Sequence, residues 1–225
     1  MDAYTRDLIR HLSGFVTENR MELFLRILND RTRYITVLLE DIYQSQNASA
    51  VLRTCDCTGI QDVHIVEERN EYEINPDVSL GSNQWLSLYY YNKGKNNIAD
   101  AVGTLKKKGY RIVATSPNRE GITPETFDLE MGKTALMFGT ELTGLSGQAM
   151  DLADEFIQIP MVGFTESYNL SVSAAVILYQ LRKRLLQSTI SWQIDEEEKD
   201  LILLDWLRSS IRMGEQIVNK FRREY

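Results

Sequence analysis

The chain has 225 residues, 43% of them hydrophobic and 25% charged, enough for one sizeable core with a small appendage. No apolar run approaches the roughly 20 residues of a membrane span, the first residues lack the layout of a secretion signal, and Cys55 and Cys57 stand too close for an ordinary disulfide, so a cytoplasmic protein is expected. The formal net charge of −7 argues, taken alone, against a nucleic-acid partner, because phosphate binding runs on Lys and Arg.

Residues 4–29 read as two short helices, with Leu8 and Leu12, then Leu23 and Ile27, at helical spacing. From residue 34 short β-rich runs alternate with helical stretches. The runs are Tyr34 to Leu39, Asp62 to Val66, Leu86 to Tyr91, Tyr110 to Thr115, Thr134 to Phe138 and Glu155 to Ile159. Helices are expected at 47–58, 96–108, 146–153 and 169–187. This alternation implies an α/β fold, a mostly parallel sheet with helices on both faces. The last stretch, about 195–223, reads as helical, with an apolar stripe of Leu201, Leu204, Leu207, Ile211, Val218 and Phe221. The expected organisation is a helical extension at 1–33, an α/β domain at 34–188 and a second helical extension at 189–225.

Several chemistries are excluded first. Only two histidines are present, His11 and His64, and no Gly-x-Ser-x-Gly elbow accompanies them, so a hydrolase triad has no support. Cys55-Asp56-Cys57 lacks a second pair at zinc spacing, so no metal is expected, and both cysteines read as small buried apolar side chains. The loop Gly139 to Ser146 has the glycine spacing of a P-loop, but Leu145 occupies the position of the phosphate-binding lysine. A Rossmann glycine fingerprint is absent.

Open α/β sheets bind ligands beyond the carboxyl ends of their strands, and three segments there carry unusual residues. The first runs from Asn47, a natural helix cap, to Arg53 and Thr54. The second, Ala135 to Ser146, leads a hydrophobic strand into a loop with Gly139, Glu141 and Gly144; Gly139 would admit a close backbone approach to a ligand. The third, Ile159-Pro160-Met161 through Gly163 to Ser167, Asn169 and Ser171, opens a helix with small residues. Each segment alone also reads as a capped helix or an ordinary turn, although for the third this leaves the polar pair Ser167 and Asn169 without an account.

Together the three resemble the motifs of the SpoU/TrmH family of the SPOUT methyltransferases: Asn-x5-Arg-Thr, then Gly-x-Glu-x-x-Gly-Leu, then Ile-Pro-Met-x-Gly followed by Ser-x-Asn-x-Ser. All three occur here in order, and the resemblance spans most of the chain, including Leu80 to Trp85. Tyr168 departs from the pattern, since many members carry a smaller aliphatic residue there. The resemblance implies a C-terminal trefoil knot, a homodimer whose active site is completed across the interface, and S-adenosylmethionine as cofactor. It implies cofactor contacts from Thr115, Ser116, Gly139, Glu141, Ile159, Met161 and Leu170. By the same motifs Arg53, Asn47, Glu141, Ser167 and Asn169 are the catalytic set.

The implied reaction is methyl transfer to a ribose 2′-hydroxyl of tRNA, with the D-loop guanosine at position 18 favoured. A guanidinium is a poor base at neutral pH, so Arg53 is expected to be essential, with its part in proton transfer left open. The helical ends resemble those of the tRNA-specific branch, and Arg6, Arg10, Arg20, Arg26, Arg208, Arg212, Arg222 and Arg223 become expected RNA contacts. A ribosomal-RNA methyltransferase is the first alternative, disfavoured because only about 30 residues precede the first strand. A non-catalytic RNA-binding protein is the second, disfavoured because Asn47, Arg53 and Asn169 are all present.

Overall fold

A computed structural model describes residues 2–70, 75–116 and 121–225. In chain order the elements are α1 (Ala3–Ser13), α2 (Glu18–Asn29), β1 (Ile35–Glu40), α3 (Ser45–Thr58), β2 (Asp62–Val66) and α4 (Pro76–Ser79). A 3-10 turn at Ser82–Trp85 leads to β3 (Ser87–Tyr91), α5 (Asn97–Lys107), β4 (Arg111–Thr115) and β5 (Thr134–Phe138). The chain ends with α6 (Gly147–Leu152), β6 (Glu155–Ile157), α7 (Leu170–Gln187), α8 (Glu196–Ser210) and α9 (Gly214–Glu224). These elements fall into two compact units, Arg33–Trp192 and the two chain ends, Met1–Thr32 with Gln193–Tyr225.

The larger unit is built on a six-stranded sheet in the order β3-β2-β1-β5-β4-β6, parallel at every pairing. Its central strands, β1 and β5, are buried at every position, which is what a sheet covered on both faces requires. Alternation along β1 divides the core. Ile35, Val37 and Leu39 join the side chains of α3 and α7, while Leu38 joins those of α5 and α6 on the other face. The strand order reverses between β1 and β5, the kind of switch point beside which open α/β sheets bind ligands.

Each expected strand and helix of this unit is present, with shifts at the ends. β6 stops at Ile157 rather than Ile159, since its partner strand in the sheet, β4, ends opposite it at Thr115. Pro160, without an N–H, does not extend the ladder. The helix expected from Asn47 starts two residues earlier, so Asn47 lies inside its first turn and Gln44 occupies the cap position. Cys55 is buried as expected but Cys57 is exposed, because residues two apart on a helix point in different directions.

His64 lies on β2, buried, with its Nδ1 2.9 Å from the Tyr91 hydroxyl and its ring stacked on Tyr89. Burial, helped by the nearby Lys108 cation, lowers its pKa to about 4. A base whose folded pKa lies below its unfolded value of about 6.5 withholds a proton that the unfolded chain accepts. Stability is therefore expected to be unaffected above pH 6.5 and to fall by about 3 kcal/mol as the pH drops toward 4. Urea midpoints between pH 4 and 7 check this, and His64→Gln should flatten that part of the profile.

In the smaller unit α1 and α2 pack with α8 and α9. Leu8, Leu12, Phe24 and Leu28 are buried together with Ile202, Leu203, Trp206, Leu207 and Val218. The Phe24 and Trp206 rings meet at 5.7 Å, and Thr32 pairs with Gln193. Two sequence expectations are corrected here. The stretch read as helical over about 195–223 is interrupted between α8 and α9: Met213 adopts φ 64°, and a Cβ on Gly214 would lie 2.3 Å from the Arg208 carbonyl oxygen. The apolar stripe is also displaced, because Trp206 centres the buried face of α8 while Leu201 is 52% exposed. The acidic run Asp195 to Glu198 marks a helix start. Asp195 accepts from the Glu198 N–H, and three glutamates occupy the first turn, where the helix dipole favours them. No described helix is long and apolar enough to cross a membrane.

Candidate active site beyond the β4, β5 and β6 strand ends

A cleft of about 710 Å³ opens beyond the carboxyl ends of β4, β5 and β6. Thr115, Ser116, Gly139, Glu141, Ile159, Met161 and Leu170, the seven positions expected to hold a cofactor, all line it. Ser167, Tyr168 and Asn169 line it as well. Among the described residues no group of three His, Cys, Asp or Glu side chains comes together to hold a metal ion.

The loop after β5 is folded back on itself. Thr140 and Gly144 exchange backbone hydrogen bonds of 3.0 Å, and Gly144 takes φ 69°. A Cβ on Gly139 would stand 2.2 Å from the carbonyl carbon of Gly144 and the nitrogen of Leu145. The glycine is thus required first by its own loop, a stricter demand than room for a ligand.

Behind the loop, Glu40 ends β1 as a buried carboxylate. It accepts from the Ser146 N–H at 2.8 Å and the Ser146 hydroxyl at 2.6 Å, while Ser146 caps α6 through Ala149. Burial pushes the Glu40 carboxyl above its usual range, against these hydrogen bonds. Sequence reading passed over Glu40. A lone acid closing a fully buried strand was the available signal.

Asn47 is the meeting point of the three motif segments. Its amide Nδ2 donates to Glu141 Oε1 at 2.8 Å and to Gln44 Oε1 at 3.1 Å. Its Oδ1 accepts from Asn169 Nδ2 at 3.2 Å. Asn169 also caps α7, accepting from the Ser171 N–H and hydroxyl. The Asn47–Glu141 bond therefore joins the first turn of α3, which follows β1, to the loop after β5, the two strands that flank the reversal of strand order. Thr115 is held from its own side, with its hydroxyl donating to the Met137 carbonyl at 2.8 Å.

Arg53 stands apart. It projects from the exposed side of α3, outside the residues that line the cleft. The eight arginines expected to contact RNA all lie in the smaller unit, and they are not equivalent. Arg6, Arg26, Arg212, Arg222 and Arg223 are exposed. Arg20 lies over the Phe24 ring, Arg10 pairs with Asp7, and Arg208 pairs with Asp205 and Glu215.

The family model for the SpoU rRNA Methylase family matches residues 34–179, the greater part of the chain and the whole of this site. The chain belongs to the SpoU methylase family. Among curated relatives of this SpoU member, the tRNA (guanosine(18)-2′-O)-methyltransferase of Borreliella burgdorferi is 44% identical over 208 residues, covering 92% of this chain and 93% of the relative. The enzyme of the same name from Thermus thermophilus is 34% identical over 194 residues, covering 85% of this chain and 97% of the relative. Among solved structures, the TrmH/SpoU tRNA modifying enzyme of A. aeolicus superposes with a TM-score of 0.75 at 28% identity, covering 87% of this chain and 98% of that one.

Proposed function

We propose that this SpoU member transfers a methyl group from S-adenosylmethionine to the ribose 2′-hydroxyl of a tRNA guanosine, the D-loop residue at position 18. The observation that carries the proposal is the Asn47–Glu141–Asn169 contact, which joins the three motif segments beside a cleft of the right kind. The relatives at 44% and 34% identity support the substrate. The cleft suits the cofactor: Ile159, Met161 and Leu170 give apolar walls for an adenine, and Glu141 supplies a carboxylate within reach of a cationic group. When bound, the cofactor supplies an already activated methyl, so the protein's work is chiefly alignment. Asn47, Ser167 and Asn169 orient the ribose, while Arg53 holds the phosphate and ribose.

A homodimer and a C-terminal trefoil knot belong to the same proposal. Val162 and Phe164 are fully exposed on the loop before α7, and Val172, Val176 and Tyr179 form an exposed apolar row along that helix. A second copy would cover this surface and bring its own Arg53 to the cleft. The knot is supported by the path of residues 158–169, which leaves the sheet after β6 and returns Asn169 to Asn47 on α3. A cytoplasmic location accords with a tRNA substrate.

The test is methyl transfer from labelled S-adenosylmethionine to unmodified tRNA, with the product mapped by nuclease digestion and mass spectrometry. Methylguanosine in the D-loop is the expected product. Transfer to ribosomal RNA alone would overturn the substrate, and no transfer to either RNA would overturn the activity.

The smaller unit is proposed to grip the RNA backbone. Replacing Arg6, Arg26, Arg222 and Arg223 together by Ala should weaken tRNA binding and lower the slope of log K against log salt by roughly one per lost phosphate contact. A binding titration at several salt concentrations reads this, and an unchanged slope would return these arginines to a solvated surface.

A further inference from the structure

Gln44 was no part of the motif reading, and the cap position gives its side chain no conventional task. It is the residue before α3, its carbonyl accepts from the N–H groups of Asn47 and Ala48, and its side chain makes no capping bond. That side chain instead turns to the site, where its Oε1 accepts from Asn47 Nδ2 at 3.1 Å.

A side-chain amide has two N–H donors and one carbonyl oxygen. In Asn47 one donor serves Glu141, the other serves Gln44, and the oxygen receives Asn169. The three bonds read the same orientation of the amide. Turning it over would set its oxygen against both the Glu141 carboxylate and the Gln44 carbonyl. They also differ in how their partners are anchored. Glu141 and Asn169 sit on loops that line the cleft and touch whatever enters it. Gln44 is outside that lining, on the same turn of chain as Asn47 itself. It is the one partner whose hold on Asn47 does not depend on what occupies the cleft.

We infer that Gln44 is a positioning residue for the methyl transfer, holding the Asn47 amide by the Gln44 Oε1–Asn47 Nδ2 contact so that Asn47 meets Glu141 and Asn169 in one orientation. The inference rests on the proposed methyltransferase reading. Gln44 touches neither cofactor nor RNA in this role. Its effect reaches the reaction only through Asn47, and it appears in the rate of the chemical step.

The test is single-turnover methyl transfer with enzyme in excess and tRNA and S-adenosylmethionine saturating, in Gln44→Met, Asn47→Ala and the double variant. Gln44→Met removes the acceptor at an exposed position while keeping the side-chain length. It should slow transfer by about tenfold, the scale on which small misplacements act, with cofactor affinity and thermal midpoint unchanged. In the Asn47→Ala background the same change should have no further effect. A Gln44→Met enzyme at the wild-type rate would overturn the inference. So would an equal loss in the Asn47→Ala background, or a loss that tracks cofactor affinity. The proton resonances of the Asn47 side-chain amide give an activity-free readout: one should move upfield in Gln44→Met, and unmoved resonances would refute the contact. A wild-type enzyme inactive on every RNA would sink the parent reading instead, with those resonances still deciding the contact.

Discussion

Arg53→Ala is expected to lower turnover at saturating tRNA by at least about 100-fold, the range over which loss of one preorganised charged donor acts. The structure separates this effect from folding. Arg53 is exposed on α3, whose packing rests on Val51, Leu52 and Cys55. A surface change away from such contacts shifts stability by roughly 0.5 kcal/mol or less. Cofactor affinity should also hold, since Arg53 does not line the cleft of its own chain and, brought there by a second copy, is proposed to hold the RNA phosphate and ribose rather than the cofactor. Arg53→Lys keeps the charge but loses the planar fork that grips phosphate through two bonds, so it should fall between Ala and wild type. Single-turnover rates with calorimetric cofactor titrations read all three enzymes. Near-normal turnover in Arg53→Ala would remove Arg53 from the catalytic set.

The second large effect is Gly139→Ala. Its added methyl would lie 2.2 Å from the backbone of Gly144 and Leu145, with no flexible side chain to yield. The loop must open, breaking the paired Thr140–Gly144 bonds and displacing Glu141 from Asn47. Overpacking of this kind costs about 1–3 kcal/mol. The larger consequence is expected in cofactor binding, weakened by tenfold or more, because Gly139 and Glu141 both line the cleft. Equilibrium dialysis beside a urea unfolding series would show the two losses together. A variant that binds cofactor normally would mean that this loop does not form the binding wall.

Much of the larger unit was legible because its signals are local. The buried runs of β1 and β5, and Asn169 at the start of α7, announce themselves within a few residues. Asn47, Glu141 and Asn169 were singled out by motif, but their mutual contacts were not readable. Asn47 meets a partner 94 residues away in Glu141 and another 122 residues away in Asn169. Gln44 and Glu40 carry no motif signal: Gln44 lies three residues before the helix expected from Asn47, and Glu40 just past the expected strand end at Leu39. The interruption before α9 has one local signal, Gly214, set within a helical period that continues on both sides. Arg182 stands beside Lys183 and Arg184 in the sequence, yet it is buried with its guanidinium 4.0 Å from the Trp192 ring centre.

The smaller unit draws its core from both ends of the chain. On a ribosome, α1 and α2 therefore emerge without the helices that cover their apolar faces, and wait through the synthesis of Arg33–Trp192. At the usual pace of translation that wait is on the order of ten seconds or more. The larger unit has all its strands by then and folds first, while Leu8, Leu12, Phe24 and Leu28 stay uncovered until α8 arrives. A chain released early, short of Trp206, would carry a finished α/β unit and an exposed apolar surface. Such exposed apolar surface is prone to aggregate and is the kind that chaperones act on.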